Sequence, residues 1–453
     1  MKKIASAYVS IICSALLLAA SFFWPQYFWW AVFVFLVPLL FSFMSGWQPT
    51  MSHGLLWGML YFGLHWIALA EVLVRHAQVS KSVVLCCYFF LICYMSLYSL
   101  CWFWLLGLIK KITHNIRLQI LFFVGISYLY FHVLYYHSLF IFGVHTGYSL
   151  GNIVLPILTI SLGRWLLMIM GMTGTILFII SINGVIAYAF FLNRKKIAVY
   201  LSLLVCTLLF GITFYKTQEK NRNYMSHNSI TYVKPSLGEQ PRDVIQETIT
   251  AIQKVKIGQR DTSLIVMPES TFSFDITPRQ IQMIQDNLDE TTFLLFGCYY
   301  QNKNSILCVN KERIIFHYDK TTYHPFSEIL YWPWNYFEEK GWLPYLFLNG
   351  KEQIMPRSSQ EQIRILPINE NNYIITPAIC SDLFFNTRVK IDKKSEYILF
   401  LCNDSWFSYS YFRHLMYLYA VYTAIINQIP VLYVAHTYAT YINQAGESRE
   451  LLS

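Results

Sequence analysis

Charge is what this sequence has least of. Only 13% of its 453 residues are Asp, Glu, Lys or Arg, against 55% hydrophobic, and the mean hydropathy is +0.40. A single soluble domain carries more charge than that, so a wholly water-soluble chain is excluded and membrane spans are expected. Metal-type CxxC pairs are missing too. The ten cysteines are dispersed: Cys13, Cys86, Cys87, Cys93, Cys101 and Cys206 lie in apolar runs, and Cys298, Cys308, Cys380 and Cys402 come later. That pattern is neither a zinc site nor a disulfide framework, although Cys298 and Cys308 could pair in an oxidising compartment or sit on adjacent buried strands. No nucleotide-binding motif is present. The net charge of +9 comes partly from basic residues at the ends of apolar runs, where they orient a chain in a membrane, so it does not indicate nucleic-acid binding.

What the chain does contain is unevenly spread. Residues 1–215 are almost continuously apolar, 216–228 read as a linker, and 229–453 hold most of the carboxylates together with ordinary loop sequence. A membrane bundle followed by a water-facing domain is expected. Seven stretches could cross about 30 Å of hydrocarbon: 4–24, 27–45, 52–74, 82–109, 116–138, 163–192 and 196–215. The first begins like a signal peptide, but a second apolar run follows at once and Trp24-Pro25 is a poor cleavage site, so it reads as a span. An N-terminus in the cytoplasm gathers Lys2, Lys3, Lys110, Lys111, Arg117, Arg194, Lys195 and Lys196 on that side. Seven spans that start inside end outside, so the second part is expected in the periplasm of a two-membrane bacterium.

Within the spans, His53, Gly54, Gly58, Gly63 and His65 lie in SHGLLWGMLYFGLHWI, where small residues near helical spacing serve close helix packing or face a lipid-accessible groove. The stretch 142–157 is too rich in glycine and polar residues for a span and reads as an outer loop.

From Ser229 onward short apolar strands alternate with amphipathic helices. Strands are expected at 230–235, 263–270, 293–300, 305–310, 313–320, 363–368, 373–380, 397–404 and 430–438, and helices at 242–257, 277–288 and near 410–427. Such an order gives an α/β layered sheet covered by helices. Three reactive residues fall just past strand ends: Glu269, Lys320 and Cys380. A carboxylate can take a thiol's proton, an ammonium can stabilise an oxyanion, and a thiolate can carry an acyl group, so together they suit acyl transfer. Singly, each is an ordinary strand-end charge or a buried cysteine.

The segments PES (268–270), YDKTTYHPFSE (318–328) and AICSD (378–382) resemble the Glu–Lys–Cys segments of the nitrilase, or carbon–nitrogen hydrolase, superfamily. NDSWF (403–407) and Arg413-His414-Leu415 match the segment after the nucleophile. With the preceding spans, including GLLWGMLYFGLHWI and GYSLGNIVLPILTISLG, the chain resembles the apolipoprotein N-acyltransferase family over about residues 1–447. The resemblance implies a multi-span membrane bundle carrying an αββα nitrilase-like sandwich. It also implies transfer of a phospholipid acyl chain to the amino group of a lipoprotein's diacylglyceryl-cysteine through a thioester. On this reading Glu269 is the general base, Lys320 the oxyanion stabiliser, Cys380 the nucleophile and Glu328 a second, organising glutamate.

The aromatic-rich stretch 331–348, with Trp332, Trp334, Tyr336 and Phe337, matches a mobile arm facing lipid. The implied partners are a phospholipid donor, an apolipoprotein acceptor and membrane lipids, with no nucleic acid, no cofactor and no metal, and a monomer is expected. The sequence also departs from the family. Ser327 replaces a glycine, Ser381-Asp382 stand where an aromatic and a glutamate are usual, and the sequence reaches Ser453 without the family's last span. Competing readings are a membrane-bound amidase using water as acceptor, and a catalytically silent homologue.

Overall fold

The computed structural model describes residues 2–68, 70–71, 81–137, 151–192, 230–234, 241–258, 263–321, 364–368, 371–384, 391–407 and 410–451. They form two units, one built from the N-terminal helices with residues 407–422, the other from the described residues of 230–406 and 423–451.

The first unit is helical because its sequence is a succession of long apolar runs. Its helices are α1 (Lys2–Phe23), α2 (Pro25–Phe28), α3 (Val37–Met44), α4 (Met51–His65), α5 (Lys81–Ile112), α6 (Ile116–His137) and α7 (Ser161–Leu192). Among the described residues, five segments are long and apolar enough to cross a membrane: Ala5–Phe23, Pro25–Met44, Val84–Ile112, Ile116–Leu134 and Ser161–Leu192. Of the expected span at 52–74, the described part is the 15-residue α4 followed by helical backbone again at 67–68 and 70–71, and residues 69 and 72–74 lie outside the described residues. The expected span at 196–215 lies outside the described residues.

The second crossing is not one helix. A 3-10 turn at Trp29–Phe33 separates α2 from α3, which frees backbone groups that lipid cannot satisfy. Asn183 of α7 supplies the partners. Its Oδ1 accepts from Leu36 N at 2.8 Å, and its Nδ2 donates to Val32 O and Ile179 O, each at 2.9 Å. Small residues let α4 and α5 approach closely. A Cβ on Gly54 would lie 2.3 Å from Ser99 O, and one on Gly58 would lie 2.8 Å from Ser96 Cα. These glycines therefore serve close packing. The described part of 142–157 forms no α-helix, and Ile153, Val154, Leu155 and Ile157 in it are buried. Apolar side chains outnumber polar ones there, and they decide the placement.

The second unit holds two six-stranded sheets. The first comprises β1 (Ile230–Tyr232), β2 (Leu264–Val266), β3 (Phe272–Asp275), β4 (Phe293–Tyr300), β5 (Lys303–Val309) and β6 (Ile314–Asp319). Its order is β1-β2-β4-β5-β6, with β3 also paired to β4. The parallel pairs enclose helices α8 (Pro241–Gly258) and α9 (Pro278–Gln285). The second sheet comprises β7 (Arg364–Ile368), β8 (Asn371–Ile379), β9 (Tyr397–Leu401), β10 (Val431–Val434), β11 (Ala439–Ile442) and β12 (Ser448–Glu450). They lie in the order β12-β11-β10-β9-β8-β7, with β8, β9 and β10 parallel.

Alternation along the strands builds two cores. Leu264, Val266, Leu295 and Tyr318 of the first sheet share one core with Ile375, Ile379, Leu399 and Val434 of the second, so the sheets meet face to face. The first sheet's other face, through Ile265, Leu294 and Phe296, packs on Val244, Ile249 and Ile252 of α8 and Ile281 and Ile284 of α9. Each such buried side chain contributes about 1.5–3 kcal/mol relative to exposure. The second sheet's far face is buried as well, at Ile398, Phe400, Val431 and Tyr433. This is the layered arrangement the alternating pattern predicts.

Cys298 and Cys308 do sit on adjacent strands, but Cys298 pairs with Ser305 and Cys308 with Leu295. They fall in different cores, both as free thiols, and burial pushes both thiols well up from the ordinary cysteine range.

Candidate active site

Three strand ends carry the reactive residues. After β2, Met267 N still pairs with Leu295 O at 2.8 Å. Pro268, which has no N–H, then breaks the ladder. Ser270 turns the chain at φ 55°, and the Pro268 carbonyl is held by Thr271 Oγ1 at 2.8 Å and Gly297 N at 3.1 Å. Glu269 is fixed between these contacts. Lys320 follows β6, its N–H donating to Asn304 O at 2.8 Å. Cys380 follows β8. Its N–H donates to Leu401 O at 2.8 Å, its φ is 42°, and the short α10 (Ser381–Phe384) begins directly after it. A non-glycine residue in the left-handed region costs about 1–3 kcal/mol and persists where its surroundings over-determine it.

Glu269 and Lys320 are brought into direct contact. Nζ of Lys320 lies 3.1 Å from Glu269 Oε1, and the two side chains are only 2% and 5% exposed. An ion pair so buried needs further hydrogen bonds to offset its desolvation. Asn304 Nδ2 gives one to Oε1 at 2.9 Å, and Asn403 N gives one to Oε2 at 2.8 Å. His436 Nε2 lies 2.7 Å from the Glu269 carbonyl oxygen, and burial lowers its pKa from the ordinary histidine value. A neutral ring with Nε2 protonated is therefore the donor that satisfies that carbonyl.

Cys380 ends a strand of the other sheet, at the same end of the sandwich. It bonds to Leu401, two residues before the Asn403 that holds Glu269. Its side chain is partly exposed, whereas those of Cys298, Cys308 and Cys402 are buried.

The residues after Cys380 tie the lysine segment to the thiol segment. Asp382 is fully buried. Its Oδ2 accepts from Tyr318 OH and Ile379 N, each at 3.0 Å. Its Oδ1 accepts from Thr321 N at 3.0 Å and Thr321 Oγ1 at 2.8 Å. Ser381 is buried beside it. Glu328 and the aromatic residues Trp332, Trp334, Tyr336 and Phe337 lie outside the described residues. Among the described residues, no group of three or more His, Cys, Asp or Glu side chains could hold a metal ion.

Sequence reasoning missed Asn304, Asn403 and His436. Asn304 had a signal, being a polar residue inside the apolar strand KNSILCV. His436 had none, because its role exists only once β10 and β2 share a sandwich.

Gly297 is small for a reason. A Cβ there would lie 2.6 Å from Glu269 Cα and 2.8 Å from Pro268 O. Both are backbone atoms, which cannot rotate aside. Gly297→Ala is therefore predicted to displace Glu269, and misplacements on the order of 1 Å cost up to about 10²-fold in rate. Labelling of Cys380 by an acyl donor, measured alongside thermal unfolding, checks this. A fully active alanine variant would show that the Glu269 backbone has room to spare.

No protein-family model matches the chain. A curated protein of Thermotoga maritima matches at 22% identity over 286 residues, which is 59% of this chain and 51% of that protein. That protein is an apolipoprotein N-acyltransferase. The chain thus spans about half the length of the curated relative it matches. Among solved structures, an amidase from Nesterenkonia sp. is 13% identical at a TM-score of 0.34, covering 51% of this chain and 89% of that one. A carbon–nitrogen hydrolase from Helicobacter pylori G27 is 11% identical at a TM-score of 0.34, covering 50% and 87%.

Proposed function

We propose that the chain is a membrane-embedded N-acyltransferase. It would move an acyl chain from a phospholipid to the N-terminal amino group of a diacylglyceryl-cysteine lipoprotein, through a thioester on Cys380. The observation that carries this reading is the buried Glu269–Lys320 pair, 3.1 Å apart, at the same end of the sandwich as the Cys380 turn. The similarity to a curated apolipoprotein N-acyltransferase and the described segments long and apolar enough to cross a membrane support the substrate class.

The chemistry follows from the side chains. Cys380 Sγ attacks the ester carbonyl carbon while Glu269 takes the thiol proton. The oxyanion that forms is stabilised by an N–H of Lys320. Collapse breaks the ester C–O bond, and the lysophospholipid leaves with the proton from Glu269. An amine then attacks the thioester, Glu269 takes its proton, and the thiolate departs. In the proposed organisation residues 1–215 are the membrane part, 216–228 a linker and 229–453 the catalytic part. The basic residues of the inner loops put the catalytic part outside the cytoplasm. Glu328 would help organise the site, and Trp332, Trp334, Tyr336 and Phe337 would face lipid.

The test is mass spectrometry of the purified protein incubated with phospholipid, then with a diacylated lipopeptide. The predicted result is one acyl chain on the peptide bearing Cys380, which moves to the lipopeptide amine on its addition. Release of free fatty acid without transfer would replace this reading with a hydrolase. No adduct at all, in protein that remains folded, would leave a silent homologue.

A further inference from the structure

Two parallel strands end beside Glu269, and a buried carboxylate keeps their ends together. The last paired residues of β9 and β10 are Leu401 and Val434. One more backbone bond, Cys402 N to Val434 O at 2.8 Å, closes the ladder. Past it, β9 leads into the 3-10 turn Asp404–Trp406 and β10 into a bend. The side chain of Asp404 continues the pairing across that gap. Its Oδ1 accepts from Thr437 N at 3.2 Å, and its Oδ2 accepts from the Thr437 hydroxyl. Asp404 is three residues past Leu401 and Thr437 three past Val434, so the bridge keeps the register of the strands.

What the two strand ends carry gives the bridge its meaning. The residue before Asp404 is Asn403, whose N–H donates to Glu269 Oε2 at 2.8 Å. The residue before Thr437 is His436, whose Nε2 lies 2.7 Å from the Glu269 carbonyl oxygen. One loop thus holds the carboxylate of Glu269 and the other holds its backbone. The His436 loop is itself anchored by Tyr232 OH, which donates to Ala435 O at 2.8 Å and to His436 O at 3.0 Å. Asp404 ties the Asn403 loop to that anchored one.

An aspartate that served only its own turn would bond the N–H groups just after it. Asn403 already does that, its Oδ1 accepting from Ser405 N at 3.2 Å. Asp404 is fully buried, while Thr437 is exposed. Burying a carboxylate is costly, and the mechanism proposed above gives this one no part.

We infer that Asp404 is a positioning residue for the general base, bridging to Thr437 so that Asn403 and His436 reach Glu269 together. This rests on the acyl-transfer reading in which Glu269 is that base. Proton transfer needs the base within hydrogen-bond reach of the proton it takes, so a carboxylate freed on one side loses rate rather than lipid affinity.

The test uses the full-length protein and its Asp404→Ala, Asp404→Asn, Thr437→Val and Thr437→Ser variants. Hydrogen–deuterium exchange is read by mass spectrometry on peptides covering 402–405 and 435–438. Acylation of Cys380 is timed on the same samples across phospholipid concentrations, beside thermal unfolding. In Asp404→Ala both peptides exchange faster and the saturated rate falls about 10- to 10²-fold, as for a misplacement on the order of 1 Å. The phospholipid concentration giving half the maximal rate does not change. Asparagine keeps an oxygen for Thr437 N and turns an N–H₂ toward a hydroxyl that can accept, so Asp404→Asn recovers most of both losses. Thr437→Val falls between parent and alanine, and Thr437→Ser, which keeps the hydroxyl, exceeds valine. If Asp404→Ala does not fold, the valine and serine variants carry the same comparison.

An asparagine variant no better than alanine would assign the effect to lost charge and overturn the inference. So would unchanged exchange, or faster exchange with the parent's acylation rate. If the parent never acylates, the acyl-transfer reading fails. Faster exchange at Asn403 in Asp404→Ala would then still show that Asp404 holds the donor to Glu269, and unchanged exchange would overturn both.

Discussion

Cys380→Ala is expected to abolish acyl-enzyme formation outright, because no other described thiol lies at this sheet end with access to substrate; Cys402, the nearest, is fully buried. Glu269→Gln should come close to the same result. The amide preserves shape but can no longer take a proton, and it leaves the Lys320 ammonium buried without its counter-charge. Lys320→Ala should cost at least as much as loss of an oxyanion donor, about 10²–10³ in rate. Breaking a buried ion pair from one side also destabilises, by about 3–5 kcal/mol, so thermal unfolding has to be measured on the same preparations. A folded Lys320→Ala protein with a slow first step is the predicted outcome. Full N-acylation of a lipopeptide by Cys380→Ala would sink the mechanism.

The sequence displayed the parts of this molecule that depend on local pattern. Runs such as Phe293–Tyr300 and Tyr397–Leu401 are apolar throughout because both faces of their strands are buried, and that signal needs no neighbour. The strand-end positions of Glu269, Lys320 and Cys380 were legible for the same reason. What failed was structure set by tertiary pairing. β3 is four residues, FSFD, with a polar residue at every second position, and only its pairing with β4 makes it a strand. β12 is Ser-Arg-Glu, fully exposed, and exists as an edge on β11. Residues 52–74 read as one span, yet α4 ends at His65 with a turn at Trp66 before helical backbone resumes at 67–68; a local break inside an apolar run leaves no mark on hydropathy. The joint role of the donors to Glu269 was not legible, because Asn304, Asn403 and His436 come from three separate strands or strand ends.

Asp382 carries the largest predicted structural effect. In sequence it stands where the family the chain resembles usually has glutamate. In the structure it is the fully buried acceptor of four hydrogen bonds, and their donors bracket the site on both sides. Tyr318 and Thr321 flank Lys320, and Ile379 precedes Cys380. The shorter aspartate thus fixes the lysine segment of one sheet to the thiol segment of the other. Burial, followed by the Asp382 charge, holds the Tyr318 hydroxyl well above the ordinary tyrosine range, so the phenol stays a donor.

Asp382→Ala would remove the shared acceptor from all four donors, leaving the Tyr318 and Thr321 hydroxyls only each other, at 3.4 Å. Each unsatisfied buried group costs about 1–3 kcal/mol, and more where the lost partner was charged. A loss of roughly 3–5 kcal/mol is therefore expected, large against the about 5–15 kcal/mol that holds a typical domain. Asp382→Asn should be intermediate, since one of its two oxygens becomes an N–H₂ facing donors. Thermal unfolding of the purified variants measures the order, parent above asparagine above alanine. Acylation of Cys380 should fall in the same order even at temperatures where all three remain folded, because the lysine and thiol segments would no longer be held together. An alanine variant as stable and as reactive as the parent would mean that water or neighbouring groups replace the carboxylate, and that these two segments are positioned by their strands alone.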